Sequence, residues 1–188
     1  LIANADQLDT DGDTQGNVCD ADDDNDGLTD LEEVALGTNS LLADTDEDGL
    51  TDLEEVNLTT DPLLPDTDSD GDIDGVDNCP INANADQLNT DGDTQGDVCD
   101  EDDDNDGLTD LAEAILGSNP LVIDTDSDGV LDNVDNCPVS ANADQLDTDG
   151  DAKGNVCDED NDNDGLTDVE EANLGADPLS DDSDSDGI

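Results

Sequence analysis

Apolar residues are sparse along the chain and recur in short groups that follow runs of aspartate. Leu28, Leu31 and Val34 are spaced three residues apart, which predicts a short amphipathic helix over residues 29–36. Gly37 follows as the predicted C-terminal stop, and Gly117 and Gly175 end two similar segments. Because helices this short are unstable alone in water, we expect their apolar stripe to pack on a neighbouring unit or loop.

Each predicted helix follows carboxylates at fixed offsets. In the twelve residues 22–33, aspartate occupies positions one, three, five and nine, glycine position six and glutamate position twelve. The carboxylates can surround a cation, the glycine permits a sharp turn, and the position-seven carbonyl and both glutamate oxygens complete an all-oxygen coordination that suits calcium better than magnesium. The predicted calcium ligands are Asp22, Asp24, Asp26, Leu28, Asp30 and Glu33.

Three further copies of this loop occupy residues 44–55, 102–113 and 160–171, each with Gly-Leu-Thr-Asp after the third carboxylate. Fixed spacing in four copies argues against a disordered acidic tail, in which carboxylates need no fixed offsets. The predicted ligands are Asp44, Asp46, Asp48, Leu50, Asp52, Glu55, Asp102, Asp104, Asp106, Leu108, Asp110, Glu113, Asp160, Asp162, Asp164, Leu166, Asp168 and Glu171.

Residues 66–77 and 124–135 form a second kind of loop, which keeps the glycine but ends in aspartate. The shorter final side chain suggests a tighter or less bidentate site. The predicted ligands are Asp66, Asp68, Asp70, Asp72, Asp74, Asp77, Asp124, Asp126, Asp128, Val130, Asp132 and Asp135.

A third kind of loop, at residues 9–20, 89–100 and 147–158, has Thr14, Thr94 or Ala152 in place of the position-six glycine. One residue separates each from the next loop, so we expect carboxylates shared between neighbouring ions at Asp20 and Asp22 and at the equivalent pairs. The predicted ligands are Asp9, Asp11, Asp13, Asp20, Asn89, Asp91, Asp93, Asp97, Asp100, Asp147, Asp149, Asp151 and Asp158. This gives nine complete loops, hence about nine calcium sites, and a tenth, truncated loop that begins at Asp182.

Alignment of the chain with itself divides it into three blocks, residues 1–80, 81–138 and 139–188. The first contains one additional unit at residues 44–65, and the last ends within a loop.

The composition is dominated by charge. The chain has 60 acidic residues, one lysine, no histidine and no aromatic residue, and its net charge is −59. Because a compact metal-free chain would repel itself, we expect folding to require cations. Nucleic acid is a poor partner without basic or aromatic residues, catalysis has few groups to use, and no stretch predicts a membrane span.

The cysteines are regularly spaced. Cys79 and Cys99 are 20 residues apart, as are Cys137 and Cys157, and the absence of CxxC pairs and histidine argues against zinc. We predict one disulfide in each pair, and expect Cys19 to pair with a cysteine upstream of Leu1. Disulfides and calcium sites of modest affinity both indicate an extracellular setting. Asn57 begins a possible N-glycosylation triplet.

Asp-Asn-Cys-Pro at residues 77–80 and 135–138, Asn-Ala-Asp-Gln-Leu and Val-Cys-Asp together resemble the thrombospondin type 3 repeat. The Glu-terminated loops are similar to units interleaved with such repeats in bacterial surface proteins. The resemblance implies a mostly irregular, calcium-wrapped repeat array, solenoid-like and elongated, with short helices after the Glu-terminated loops. Its small core would be stabilised by metal and by disulfides between successive cysteines. The missing glycines and the added helices depart from animal versions and favour a microbial surface or matrix protein.

The leading functional hypothesis is a secreted calcium-dependent structural module: a rigid spacer, a stalk or a filament shaft that associates end to end or laterally. The alternative is a calcium-dependent adhesion module, although no aromatic residue offers a platform for sugar. A calcium sensor is disfavoured because the chain has no methionine or aromatic residue to form an inducible groove, and catalysis is the least favoured class.

Overall fold

The computed structural model describes residues 7–183 and divides into two compact units, Leu1–Cys99 and Asp100–Ile188. The first unit contains helices α1 (Asp30–Leu36) and α2 (Asp52–Leu58), and the second contains α3 (Asp110–Leu116) and α4 (Asp168–Leu174). No strand occurs in the described residues, and the rest of each unit consists of turns and irregular loops. The predicted combination of short helices with little other regular structure is confirmed, whereas the three-block division stays a prediction.

The four helices begin and end through local hydrogen bonds. At the start of α1, the Thr29 side chain accepts from the Glu32 amide, and Glu32 accepts from the Thr29 amide in return. At its end, Gly37 has φ 95° and donates its N–H to the Glu33 carbonyl. Helix α2 differs, because Thr59 ends it at φ 69° without a glycine.

The expectation that the apolar stripe of these helices is packed is wrong for α1. Leu28 is buried, but Leu31 is 81% exposed and Val34 is 74% exposed. The only buried residue of the helix is Glu33, which is 0% exposed. The capping bonds and the position of this glutamate, rather than apolar packing, therefore hold the helix against its loop.

Carboxylates fill most of the buried interior. Among the alanine, valine, leucine, isoleucine and cysteine side chains of residues 7–183, only Leu28, Cys79 and Cys137 are buried. Cys79 bonds to Cys99 and Cys137 to Cys157, with Cα–Cα distances of 5.7 and 5.8 Å, which confirms both predicted pairs. Cys19 is exposed and unbridged in this part of the chain, and its expected partner lies outside the described residues. Most of the predicted tenth loop also lies outside them.

Candidate metal centres

Two hydrogen bonds, which we call the clasp, close each loop. In residues 44–55, the Asp52 amide donates to the Ala43 carbonyl at 3.0 Å, and the Thr45 amide donates to Asp52 Oδ1 at 2.8 Å. The same two bonds, from position nine to the residue before the loop and from position two to position nine, recur in all nine complete loops. Their position-nine residues are Asn17, Asp30, Asp52, Asp74, Asp97, Asp110, Asp132, Asn155 and Asp168.

Carboxylates at the odd positions shape the turn inside each loop. Asp44 Oδ1 accepts from the Glu47 amide at 2.6 Å, and Asp44 Oδ2 accepts from the Gly49 amide at 3.1 Å. Gly49 has φ 105°, so a side chain there would be strained, as the sequence predicts for position six. These bonds link position one to positions four and six of the turn. The ligand oxygens of Asp44, Asp46 and Asp48 lie within 4.8 Å of one another.

Buried oxygens without a hydrogen-bond partner point to a cation at the centre of the loop. Asp46 Oδ1 accepts from the Asp48 amide, but Asp46 Oδ2 is buried and has no partner. The position-three Oδ2 is in this state in seven loops, in Asp24, Asp46, Asp68, Asp104, Asp126, Asp149 and Asp162. A desolvated carboxylate oxygen without a partner is costly, and a bound cation removes that cost. The oxygen donors fit calcium.

The four position-twelve glutamates are fully buried and supply further unpartnered oxygens. They are Glu33, Glu55, Glu113 and Glu171, each 0% exposed and each with at least one unpartnered Oε atom. Burial and the neighbouring carboxylate of Asp24 raise the pKa of Glu33 to about 7. Burial and the neighbouring carboxylate of Asp46 raise the pKa of Glu55 to about 8. Burial also raises the pKa of Glu113 to about 7. Burial also raises the pKa of Glu171. Without a cation, burial therefore favours the protonated form of all four groups.

The loops without the position-six glycine keep the same turn in two of three cases. Thr14 and Ala152 have φ 85° and 78°, and their amides donate to the position-one Oδ2 as the glycine amide does. Thr94 does not adopt a positive φ. The reason is chemical: Asn89, at position one, has a single side-chain oxygen, which accepts from the Gly92 amide.

Glycine is needed instead at position eight of loops 89–100 and 147–158. A Cβ on Gly96 would clash with the side chain of Asn78, and a Cβ on Gly154 would clash with the side chain of Asn136, so glycine lets each disulfide-bonded segment pack closely.

A polar network orients the last ligand of the Asp-terminated loops. Asp77 Oδ1 accepts from Gln87 Nε2 at 2.7 Å and from the Cys79 amide at 2.7 Å, which leaves Asp77 Oδ2 buried and unpartnered. The Asn84 amide donates to Asp70 Oδ2 at 2.6 Å. The second unit repeats the arrangement with Asp135, Gln145, Asn142 and Asp128. Sequence reasoning missed these amides, and the recurring Ala-Asn-Ala-Asp-Gln-Leu phrase was the signal that could have found them.

Position two also contributes groups that the loop pattern did not predict. In residues 22–33 and 160–171, position two is Asp23 or Asn161, which are 9% and 7% exposed and have a buried, unpartnered Oδ1.

Of the predicted shared carboxylates, Asp20 Oδ1 accepts from the amides of Ala21 and Asp22. The ligand assignments and shared carboxylates stay predictions. Asn57 lies exposed in α2.

Comparison with known families agrees with this geometry. The Bacterial TSP3 repeat matches residues 22–43, 44–65, 102–122 and 160–180, and the Thrombospondin type 3 repeat matches residues 65–87 and 123–145. The two together match more than two thirds of the chain. The chain belongs to the thrombospondin type 3 repeat family. Its repeats are therefore structural calcium-binding modules, and the Asp-rich groups fit that role.

The three loops without the position-six glycine lie outside these thrombospondin type 3 matches. No individual curated protein gives a significant match to the chain. None of the seven-residue helices in residues 7–183 is long and apolar enough to cross a membrane.

Proposed function

We propose that this chain is an extracellular calcium-binding segment that acts as a rigid spacer, a stalk or the shaft of a filament. The observation that carries the proposal is a hydrogen bond between consecutive loops. The Leu53 amide donates to Asp26 Oδ2 at 3.2 Å, and the Gly75 amide donates to Asp48 Oδ2 at 3.2 Å, each across 27 residues. A calcium ion that fixes the position-five carboxylate would thereby also fix position ten of the next loop.

The same kind of link continues in both units. In the first, the Asn84 amide binds Asp70 Oδ2, and in the second, the amides of Asn133 and Asn142 bind Asp106 and Asp128. Repeats joined only to their neighbours form a quasi-linear body, and bound ions would stiffen it. About nine bound ions are expected, one in each complete loop.

The proposed extracellular setting rests on chemistry. Two disulfides need an oxidising compartment, and extracellular calcium is concentrated enough to fill sites of modest affinity. With a net charge of −59, the chain also gains stability from a calcium-rich environment.

A calcium-dependent adhesion module is the second candidate. The apolar side chains of Leu31, Leu111 and Ile115 are between 74% and 81% exposed, and such residues can contribute to a contact surface.

Small-angle scattering of the oxidised chain in millimolar calcium and in a chelator tests the spacer role. We expect a stiff, elongated particle with calcium and an expanded, flexible chain without it. A flexible chain in calcium would contradict the proposal. A rod that associates as calcium is added supports the filament shaft, and a monomeric rod supports the spacer or stalk.

A further inference from the structure

One carboxylate cluster joins residues from two successive loops. Asp48 and Glu55 are positions five and twelve of loop 44–55, and Asp74 is position nine of the next loop, 66–77. One ligand oxygen from each lies within 4.8 Å of the others, and all three residues are buried. Two oxygens bound to the same calcium ion lie at most about 5 Å apart, twice the usual Ca–O distance. The cluster thus has the dimensions of a single calcium site.

The same relationship recurs where a Glu-terminated loop is followed by another loop of the same unit. The Leu53 amide, one residue after Asp52, donates to Asp26 Oδ2 of the preceding loop at 3.2 Å. The Asn133 amide, one residue after Asp132, donates to Asp106 Oδ2 of the preceding loop at 3.0 Å.

Burial separates these position-nine residues from the others. Asp52, Asp74 and Asp132 are 0%, 4% and 2% exposed, whereas Asp30, Asp110 and Asp168, which follow loops of the third kind, are only partly buried. Glu171, in the last complete loop, has carboxylate neighbours from its own loop only.

Hydrogen bonds hold the position-nine carboxylate in place. Thr67 binds both oxygens of Asp74, through its amide at 2.9 Å and its hydroxyl at 2.6 Å. One residue later, the Gly75 amide donates to Asp48 Oδ2 of the preceding loop. Asp74 is therefore attached to its own loop through Thr67 while its neighbour along the chain binds the loop before it.

We infer that the position-nine carboxylates Asp52, Asp74 and Asp132 are calcium ligands of the preceding loop and not of their own. Each of these preceding sites is then incomplete until the next repeat has folded against it. Filling of consecutive loops is consequently coupled, and the coupling is reciprocal, although the ligand is donated only by the later loop to the earlier site. The inference rests on calcium binding by the repeats and is independent of the proposed spacer role.

The test is Asp74→Asn in the oxidised full chain, followed by amide NMR during calcium titration. Gly49 reports loop 44–55, because its amide binds Asp44 Oδ2, and Gly71 reports loop 66–77 through Asp66 Oδ2. Asparagine at position nine can make the same clasp. The side chain of Asn17 accepts from the Thr10 amide through Oδ1 and donates to the Thr10 hydroxyl through Nδ2, and Asn155 does the same with Thr148. We expect the calcium midpoint at Gly49 to rise about tenfold and the midpoint at Gly71 to change less than about twofold.

Asp97→Asn is the matched control. It removes the same charge at the same loop position, where Thr90 makes the same clasp, and it should leave the Gly49 midpoint unchanged. Asp52→Asn repeats the test one loop earlier, with the calcium midpoint at the Gly27 amide as the reporter of loop 22–33. This second variant decides the question if Asp74→Asn folds poorly. A larger change at Gly71 than at Gly49, or equal changes at both, would overturn the inference.

Discussion

The hydroxyl of Thr67 donates a hydrogen bond of 2.6 Å to Asp74 Oδ2 and accepts one of 2.9 Å from the Asp61 amide. One side chain thus connects the segment before the loop with the residue that closes it. Thr45 and Thr125 make the same connection in loops 44–55 and 124–135. This threonine relay explains why position two, which carries no predicted ligand, is a hydroxyl residue in these loops.

Thr67→Val should destabilise the first unit by about 1–3 kcal/mol, because the buried Asp74 Oδ2 loses its donor and the exposed Asp61 amide loses its acceptor. Thr67→Ser is the matched control and should retain most of the stability, since Ser183 accepts from the Asp177 amide in the equivalent place. Denaturant unfolding in saturating calcium measures both. Equal stability of the valine and serine variants would show that the relay does not matter.

Ala152→Gly should stabilise loop 147–158 by roughly 1 kcal/mol, because glycine adopts the φ of 78° without the penalty that a Cβ incurs. Thr94→Gly is the control at the same loop position, and we expect no gain there because Thr94 is not in the left-handed region. The free energy of unfolding in calcium is the measurement. A gain at Thr94 that matched the gain at Ala152 would contradict the explanation based on φ.

Replacement of both Cys79 and Cys99 by alanine should destabilise the first unit by about 3 kcal/mol, as expected for a disulfide that closes about 20 residues. Hydrogen exchange of the Gly96 amide, which donates to the Asn78 carbonyl beside the disulfide, reports the local effect. Cys19→Ala is the control, since this cysteine is exposed and unbridged among the described residues, and it should leave exchange at Gly96 unaltered. Unchanged exchange in the double variant would contradict the prediction.

In the absence of calcium, the equilibrium should shift further towards the unfolded, expanded chain as the pH rises. The pKa values of Glu33, Glu55 and Glu113 are raised by burial to about 7, 8 and 7, above the ordinary value of 4.5. Folding then favours the protonated form: the stabilisation is fully present below pH 4.5 and disappears as the pH rises through about 7 to 8.

Calcium must displace these protons, so its affinity should increase between pH 6 and pH 9 and its binding should release protons. Calorimetry in buffers of different ionisation enthalpy measures both quantities. Calcium binding without proton release at pH 6 would contradict this part of the account.

The sequence predicted the features that depend on local spacing. The carboxylate offsets of residues 22–33, the stop at Gly37 and the pairing of Cys79 with Cys99 follow from chemistry within about 20 residues along the chain. The helix stripe was misjudged because helical periodicity reports which residues share a face, not whether a neighbour covers that face. Leu31 and Val34 share a face with Leu28 and remain exposed.

The remaining features depend on contacts between loops. The place of Asp74 beside Asp48 and Glu55 results from packing of successive repeats, and the contact of Gly75 with Asp48 spans 27 residues. Gln87 contacts Asp77 only after the chain has turned through the disulfide-bonded segment. A one-dimensional pattern of carboxylates contains no information about either arrangement.

Calcium stoichiometry, measured by native mass spectrometry of the oxidised 188-residue chain across a calcium titration, tests the central claim most directly. The account predicts about nine ions at saturation, one for each loop closed by the two-bond clasp, with consecutive sites filling together. Saturation at fewer than about four ions, or a folded chain that gives the same charge-state distribution in a chelator as in calcium, would contradict it.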